Sequence, residues 1–124
     1  MDLFDTIVNP FPLRLAGLRD AVHRALAPLG FRRGDEVVLV VDELVTAAIV
    51  HGDGDRPVRV RVESERSGAV LVSAVWTGSG SWGPADVERY FDPTARRVLR
   101  AVGSVGAAWA THETCLWARI SGAV

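Results

Sequence analysis

The side chains able to do chemistry in this sequence fall into a few short stretches. Gly78-Ser79-Gly80-Ser81-Trp82-Gly83 matches G-x-G-x-x-G, the spacing that lets a strand-to-helix turn bring backbone amides close to a pyrophosphate. That fingerprint also requires a long following helix, a parallel return strand and an acidic residue roughly 20 positions further on. The distance lands near Gly103, with no acid beside it, and Trp82 would crowd the approach that the glycines exist to permit. The stretch therefore reads as a glycine-rich loop over a pocket or partner surface, with Gly80, Ser81 and Trp82 as candidate contact residues. Ser79 and Ser81 do not make the nucleophile elbow G-x-S-x-G, because residue 79 is serine where that motif needs glycine. His112 and Cys115 have no second pair of ligands near them, whereas structural zinc takes four, so no metal is expected. Cys115, in an apolar run, reads as a small core residue. The remaining candidate is the acidic pair Asp42-Glu43, with His51 further along. By itself it reads as a solvated carboxylate face ending in a histidine that favours the helix dipole.

The elements that must position these groups follow from hydrophobic period. Residues 1–12 mix Leu3, Phe4, Ile7, Val8 and Phe11 with two prolines, as in an N-terminal arm or edge strand. Residues 13–124 then read as one domain. Leu15, Leu18, Val22, Leu26 and Leu29 step by three and four, the stripe of an amphipathic helix, with Pro28 and Gly30 at its end. A second helix opens at Asp35, read as its N-cap, and buries Val37, Val41, Leu44, Val45 and Ala48 before stopping at His51-Gly52. After the turn at 53–57 the period drops to two: Val58, Val60 and Val62 alternate with Arg59, Arg61 and Glu63. Ser67-Gly68 turns the chain into a more apolar strand over 69–76, expected at the centre of the sheet. A third helix is predicted over 94–102, broken around Gly103 and Gly106. A closing hairpin is expected from 107–111 and 114–120, turned at His112-Glu113. This order predicts an α+β two-layer sandwich, a mostly antiparallel sheet with helices packed on one face.

Composition narrows the class. The chain has 124 residues, 48% hydrophobic, with 14 basic residues against 15 acidic and a net charge of −1. Every basic residue is arginine, yet no basic cluster exists for counterion release, so nucleic acid is not an expected partner. One cysteine fits a reducing compartment. No apolar run reaches the roughly 18 residues of a membrane span, and the start, Met1-Asp2-Leu3-Phe4-Asp5, lacks the basic region of a secretory signal. A cytoplasmic domain is the expectation.

The stretch Val41-Asp42-Glu43-Leu44-Val45-Thr46-Ala47-Ala48-Ile49-Val50-His51-Gly52 resembles the signature helix of the GHKL (histidine-kinase-like) ATPase superfamily, in its anti-sigma-factor serine kinase branch. The order of elements, and Trp109 after the third helix, extend that resemblance more loosely from about Pro12 to Ile120. The resemblance implies a Bergerat-like fold and marks Glu43 as the general-base position. It also implies an asparagine that holds magnesium, an aspartate that accepts the adenine amine, and a glycine pair whose amides hold phosphate. This sequence has Ala47 at the first position, Trp76 at the second and the glycine-free stretch around Val98 at the third. A methyl group offers a hard cation no oxygen, and an indole N–H only donates.

The expectation is thus a non-catalytic, protein-binding regulatory module in bacterial transcription or signalling control. Glu43 is left as a vestige, and no cofactor and no membrane contact are expected. The expected partner is a sigma factor, an anti-sigma antagonist or an operon-linked regulator. A homodimer, through the Trp82 loop or the N-terminal arm, is a further possibility. Two alternatives stand beside it: an active ATP- and magnesium-dependent serine/threonine kinase with divergent motifs, and an unrelated α+β enzyme.

Overall fold

Alternation of apolar and polar residues over 58–64 and 70–77, and apolar spacing of three and four over 15–26 and 34–51, should give a sheet and helices that share one apolar layer. A computed structural model, which describes residues 1–9, 15–51, 56–77, 84–110 and 113–122, has that architecture. Strand β1 (Asp2–Val8) leads into helix α1 (Leu15–Leu26), a short 3-10 turn (Ala27–Leu29) and helix α2 (Gly34–His51). Strands β2 (Val58–Ser64) and β3 (Val70–Thr77) follow, then a 3-10 segment (Pro84–Tyr90) and helix α3 (Pro93–Val102). Strands β4 (Gly103–Ala110) and β5 (Glu113–Ile120) close the described fold.

The strands form one antiparallel sheet in the order β1-β2-β3-β5-β4, which places the apolar strand β3 at its centre. Val58, Val60 and Val62, then Val70, Val72, Ala74 and Trp76, then Leu116, Ala118 and Ile120 are buried toward the helices. Helix α2 lies mainly against β3, and Leu18, Val22, Val37, Val41, Leu44, Val45 and Ala48 complete the core. The protein is therefore an α+β two-layer sandwich.

Three expectations are corrected. Asp35 is not the N-cap of α2. The helix begins at Gly34 and its first bond runs from the Val37 N–H to the Arg33 carbonyl at 3.0 Å, so Arg33 occupies the cap position. Gly103 does end α3, as its C-cap, but neither it nor Gly106 lies in a break between elements. They are strand residues, and the closing hairpin starts at Gly103 rather than at 107. Glycine is used there for close approach: a Cβ on Gly103 would overlap the Arg119 carbonyl oxygen, and one on Gly106 would overlap the Trp117 ring. Cys115 is not in the core between the layers. Thr114 and Leu116 take the inward positions, which turns the half-buried Cys115 to the opposite, helix-free face of the sheet.

That open face carries ion pairs between strands. Arg59 holds Asp5 through two hydrogen bonds, of 3.1 and 2.7 Å, and Arg61 reaches Asp2 at 3.0 Å. The Arg59 hydrogen bond holds the Asp5 carboxyl below its usual range. Exposed pairs of this kind add little stability each, but they fix the register of β1 on β2.

Candidate functional site

The described part of the resemblance to a nucleotide-binding helix falls on one face of α2. Glu43 and Ala47 are one helical turn apart there, and both line a cleft of about 310 Å³ whose far wall is Tyr90, Phe91, Asp92 and Ala95. The cleft is at the lower end of the range for small-molecule sites. A hollow of similar size, about 280 Å³, lies at the α1–α2 connection. Its Arg33 guanidinium is committed to Glu36 and to the carbonyls of Val102 (3.1 Å) and Ser121 (2.8 Å). It is a clasp between the connection and the ends of α3 and β5.

Ala47 is buried and presents only a methyl group to the first cleft. Trp76 sits at the last inward position of β3, paired across the sheet with Val58 and Thr114. It is 3% exposed. The Tyr90 ring meets Trp76 edge-on at a centroid distance of 6.2 Å, and the His51 ring meets Tyr90 edge-on at 5.3 Å. Three aromatic rings from β3, the 3-10 segment and the end of α2 thus stack in sequence at this end of the sheet, with geometry typical of packed aromatic pairs.

The start of α3 is occupied by a carboxylate of the chain itself. Asp92 is the N-cap and its side chain accepts the Ala95 N–H at 2.7 Å, with Pro93 at the first helical position. An N-cap carboxylate satisfies an orphan amide and complements the dipole, the same interactions a bound phosphate would use. Val98 is in the second turn of α3, half-buried, where the amide belongs to the helix ladder. The phosphate-holding position inferred at Val98 is therefore not at the helix start, which is taken by Asp92 and Pro93.

Burial lifts the Glu43 carboxyl above its ordinary range, with the Asp42 and Asp92 carboxylates adding to the effect. A raised acid pKa means that the folded state holds the proton to higher pH than the unfolded chain. Ionising Glu43 therefore costs stability as pH rises through that interval. Glu43→Gln should accordingly stabilise the protein at neutral pH and lose that advantage below the ordinary glutamate range. Denaturant unfolding of both proteins between pH ~3 and ~8 measures it. A wild-type chain that is the more stable at neutral pH would mean that ionised Glu43 is supported by a partner.

Tyr90 and Asp92 were not among the residues singled out from the sequence. Asp92-Pro93 does carry a recognisable helix-start signal, an N-cap acid followed by proline. Gly80, Ser81 and Trp82, together with His112, lie outside the described residues. Among the described residues no group of three or more His, Cys, Asp or Glu side chains is arranged to hold a metal ion, and no helix is long and apolar enough to cross a membrane.

No family model matches the sequence, and comparison with curated proteins gives no significant match. The functional reading accordingly rests on the residues of the cleft.

Proposed function

We propose that this domain is a non-catalytic, protein-binding regulatory module, derived from the anti-sigma branch of the GHKL ATPases and acting in bacterial transcription or signalling control. Its partner would be a sigma factor, an anti-sigma antagonist or an operon-linked regulator. The observation that carries the reading is the Trp76–Tyr90–His51 aromatic stack. It fills the end of the central strand where the resemblance would seat the acceptor for the adenine amine. Two further features support it. Buried Ala47 offers magnesium no oxygen, and the Asp92 carboxylate holds the amide at the start of α3, where it would repel a phosphate.

Each missing hydrogen-bonding partner costs about 1–3 kcal/mol, so losing all three removes several orders of magnitude of affinity. Calorimetric titration with magnesium and ATP should give no isotherm up to millimolar nucleotide. Glu43, half-buried on the same cleft, favours a second reading, an active serine/threonine kinase with divergent motifs. A micromolar isotherm would establish that second reading and remove the first. Affinity capture from the native host, with mass spectrometry of the retained protein, would then name the partner.

A further inference from the structure

The two edges of the sheet are built differently. The β1 edge carries Asp2 and Asp5, held in ion pairs with Arg61 and Arg59, and charge on an edge strand discourages pairing with another chain. The β4 edge, Gly-Ser-Val-Gly-Ala-Ala-Trp-Ala, has no charged residue and no proline over its whole length. Among the described residues it has β5 on one side and no strand on the other. Open backbone groups along such an edge are satisfied by an added strand.

A second observation says which strand. Trp117 on β5 pairs with Gly106 on β4, and its six-membered ring lies over that glycine, in the space a side chain would fill. The indole thus leans across the edge strand on the helix-free face and is only half-buried. The geometry points to a second copy of this chain, adding its own β4 antiparallel to this one with Gly106 on the two-fold axis, so that two five-stranded sheets become one.

In that register inward residues stay inward, as continuity of the sheet requires. Gly106 faces the partner's Gly106, and Ser104 faces the partner's Ala108, with no like charges opposed. The two β5 strands stand three strand spacings apart, about 14 Å. The trough between them is floored by the paired glycines and filled from both sides by the two indoles. Each copy supplies both the empty row and the ring that covers it, a self-complementarity that an isologous interface demands. The pairing is independent of the cleft lined by Glu43 and Ala47, which lies on the other face of the sheet.

Sedimentation velocity over a concentration series, with hydrogen exchange read by mass spectrometry, tests the pairing. The expected result is a reversible monomer–dimer equilibrium in which amides 103–110 gain protection as concentration rises. Ser104→Glu puts a charge at the seam beside Arg119, where the monomer tolerates it, and Trp117→Ala removes the ring. Each should weaken dimerisation by about tenfold or more. Circular dichroism on each variant separates loss of pairing from loss of fold. A chain that stays monomeric at high concentration overturns the proposal. So does a dimer in which protection rises along 2–8 instead, or one whose dissociation constant neither variant moves.

Discussion

Leu44→Ala should lower the unfolding free energy by about 2–5 kcal/mol, the range for truncating a fully buried leucine. Leu44 has no exposed surface and sits midway along α2, the helix laid against the central strand. The cost has two parts. The lost methyl and methylene groups forfeit their transfer free energy, and the cavity left behind cannot collapse, because the valines around it are stiff at χ1. The core that Leu44 belongs to is rich in β-branched residues: Val60, Val70 and Val72 from the sheet, with Val40, Val41 and Val45 from α2 itself, all buried. That composition places the value in the upper half of the range. Equilibrium denaturation, with the slope checked for constancy, measures it. A loss under about half a kcal/mol would mean that α2 is not held against the sheet.

Gly103→Ala should cost about 3 kcal/mol, at the upper end of what overpacking imposes. The backbone at Gly103 is extended, so any residue could adopt it and the obstacle is space alone. An added methyl would overlap the Arg119 carbonyl oxygen, a backbone atom of the β4–β5 ladder that cannot swing aside as a side chain would. The strand must separate locally or the helix-to-strand junction at Val102 must shift. Arg33 resists the shift through its bond to the Val102 carbonyl. Thermal and denaturant melts of Gly103→Ala against Gly68→Ala give the control. Gly68 has nothing near it but a positive φ of 86°, so its replacement reports backbone conformation without crowding. A Gly103→Ala protein as stable as wild type would show that β4 does not approach β5 so closely.

The fold was readable in the sequence wherever a period was uninterrupted. Val70, Val72, Ala74 and Trp76 form one inward row, as their alternation required, and Val37 through Ala48 form one helical stripe. Readability failed where a residue type serves two opposite purposes. Gly103 and Gly106 signal a break, and Gly103 does end α3. Here they are strand positions emptied for the Arg119 backbone and the Trp117 ring, a use that depends on a neighbour strand whose register no local pattern states. Cys115 was misplaced for a related reason: apolarity alone does not say which face of a strand a residue takes. Of the candidate site, α2 and the inward position of Trp76 could be read directly. Tyr90 lies in a 3-10 segment with no apolar period, so its place against Trp76 and His51 comes only from tertiary packing. Asp92-Pro93, by contrast, carries a local helix-start signal of its own.

The pairing of β1 with β2 has a consequence for how the chain assembles. Arg59 and Asp5 bond across a sequence separation of 54, with both α1 and α2 in between. By contrast β4 and β5 pair almost directly, from Ala110 opposite Glu113. A local hairpin closes in microseconds, whereas the longer closure carries a larger entropic cost that must be met before its contacts reward it. The β4–β5 and β2–β3 hairpins should therefore form early, α2 should condense on β3, and β1 should dock last, as a latch fastened by arginine. Weakening that latch with Asp5→Ala should leave the folding rate nearly unchanged and speed unfolding, the kinetic mark of contacts made after the transition state.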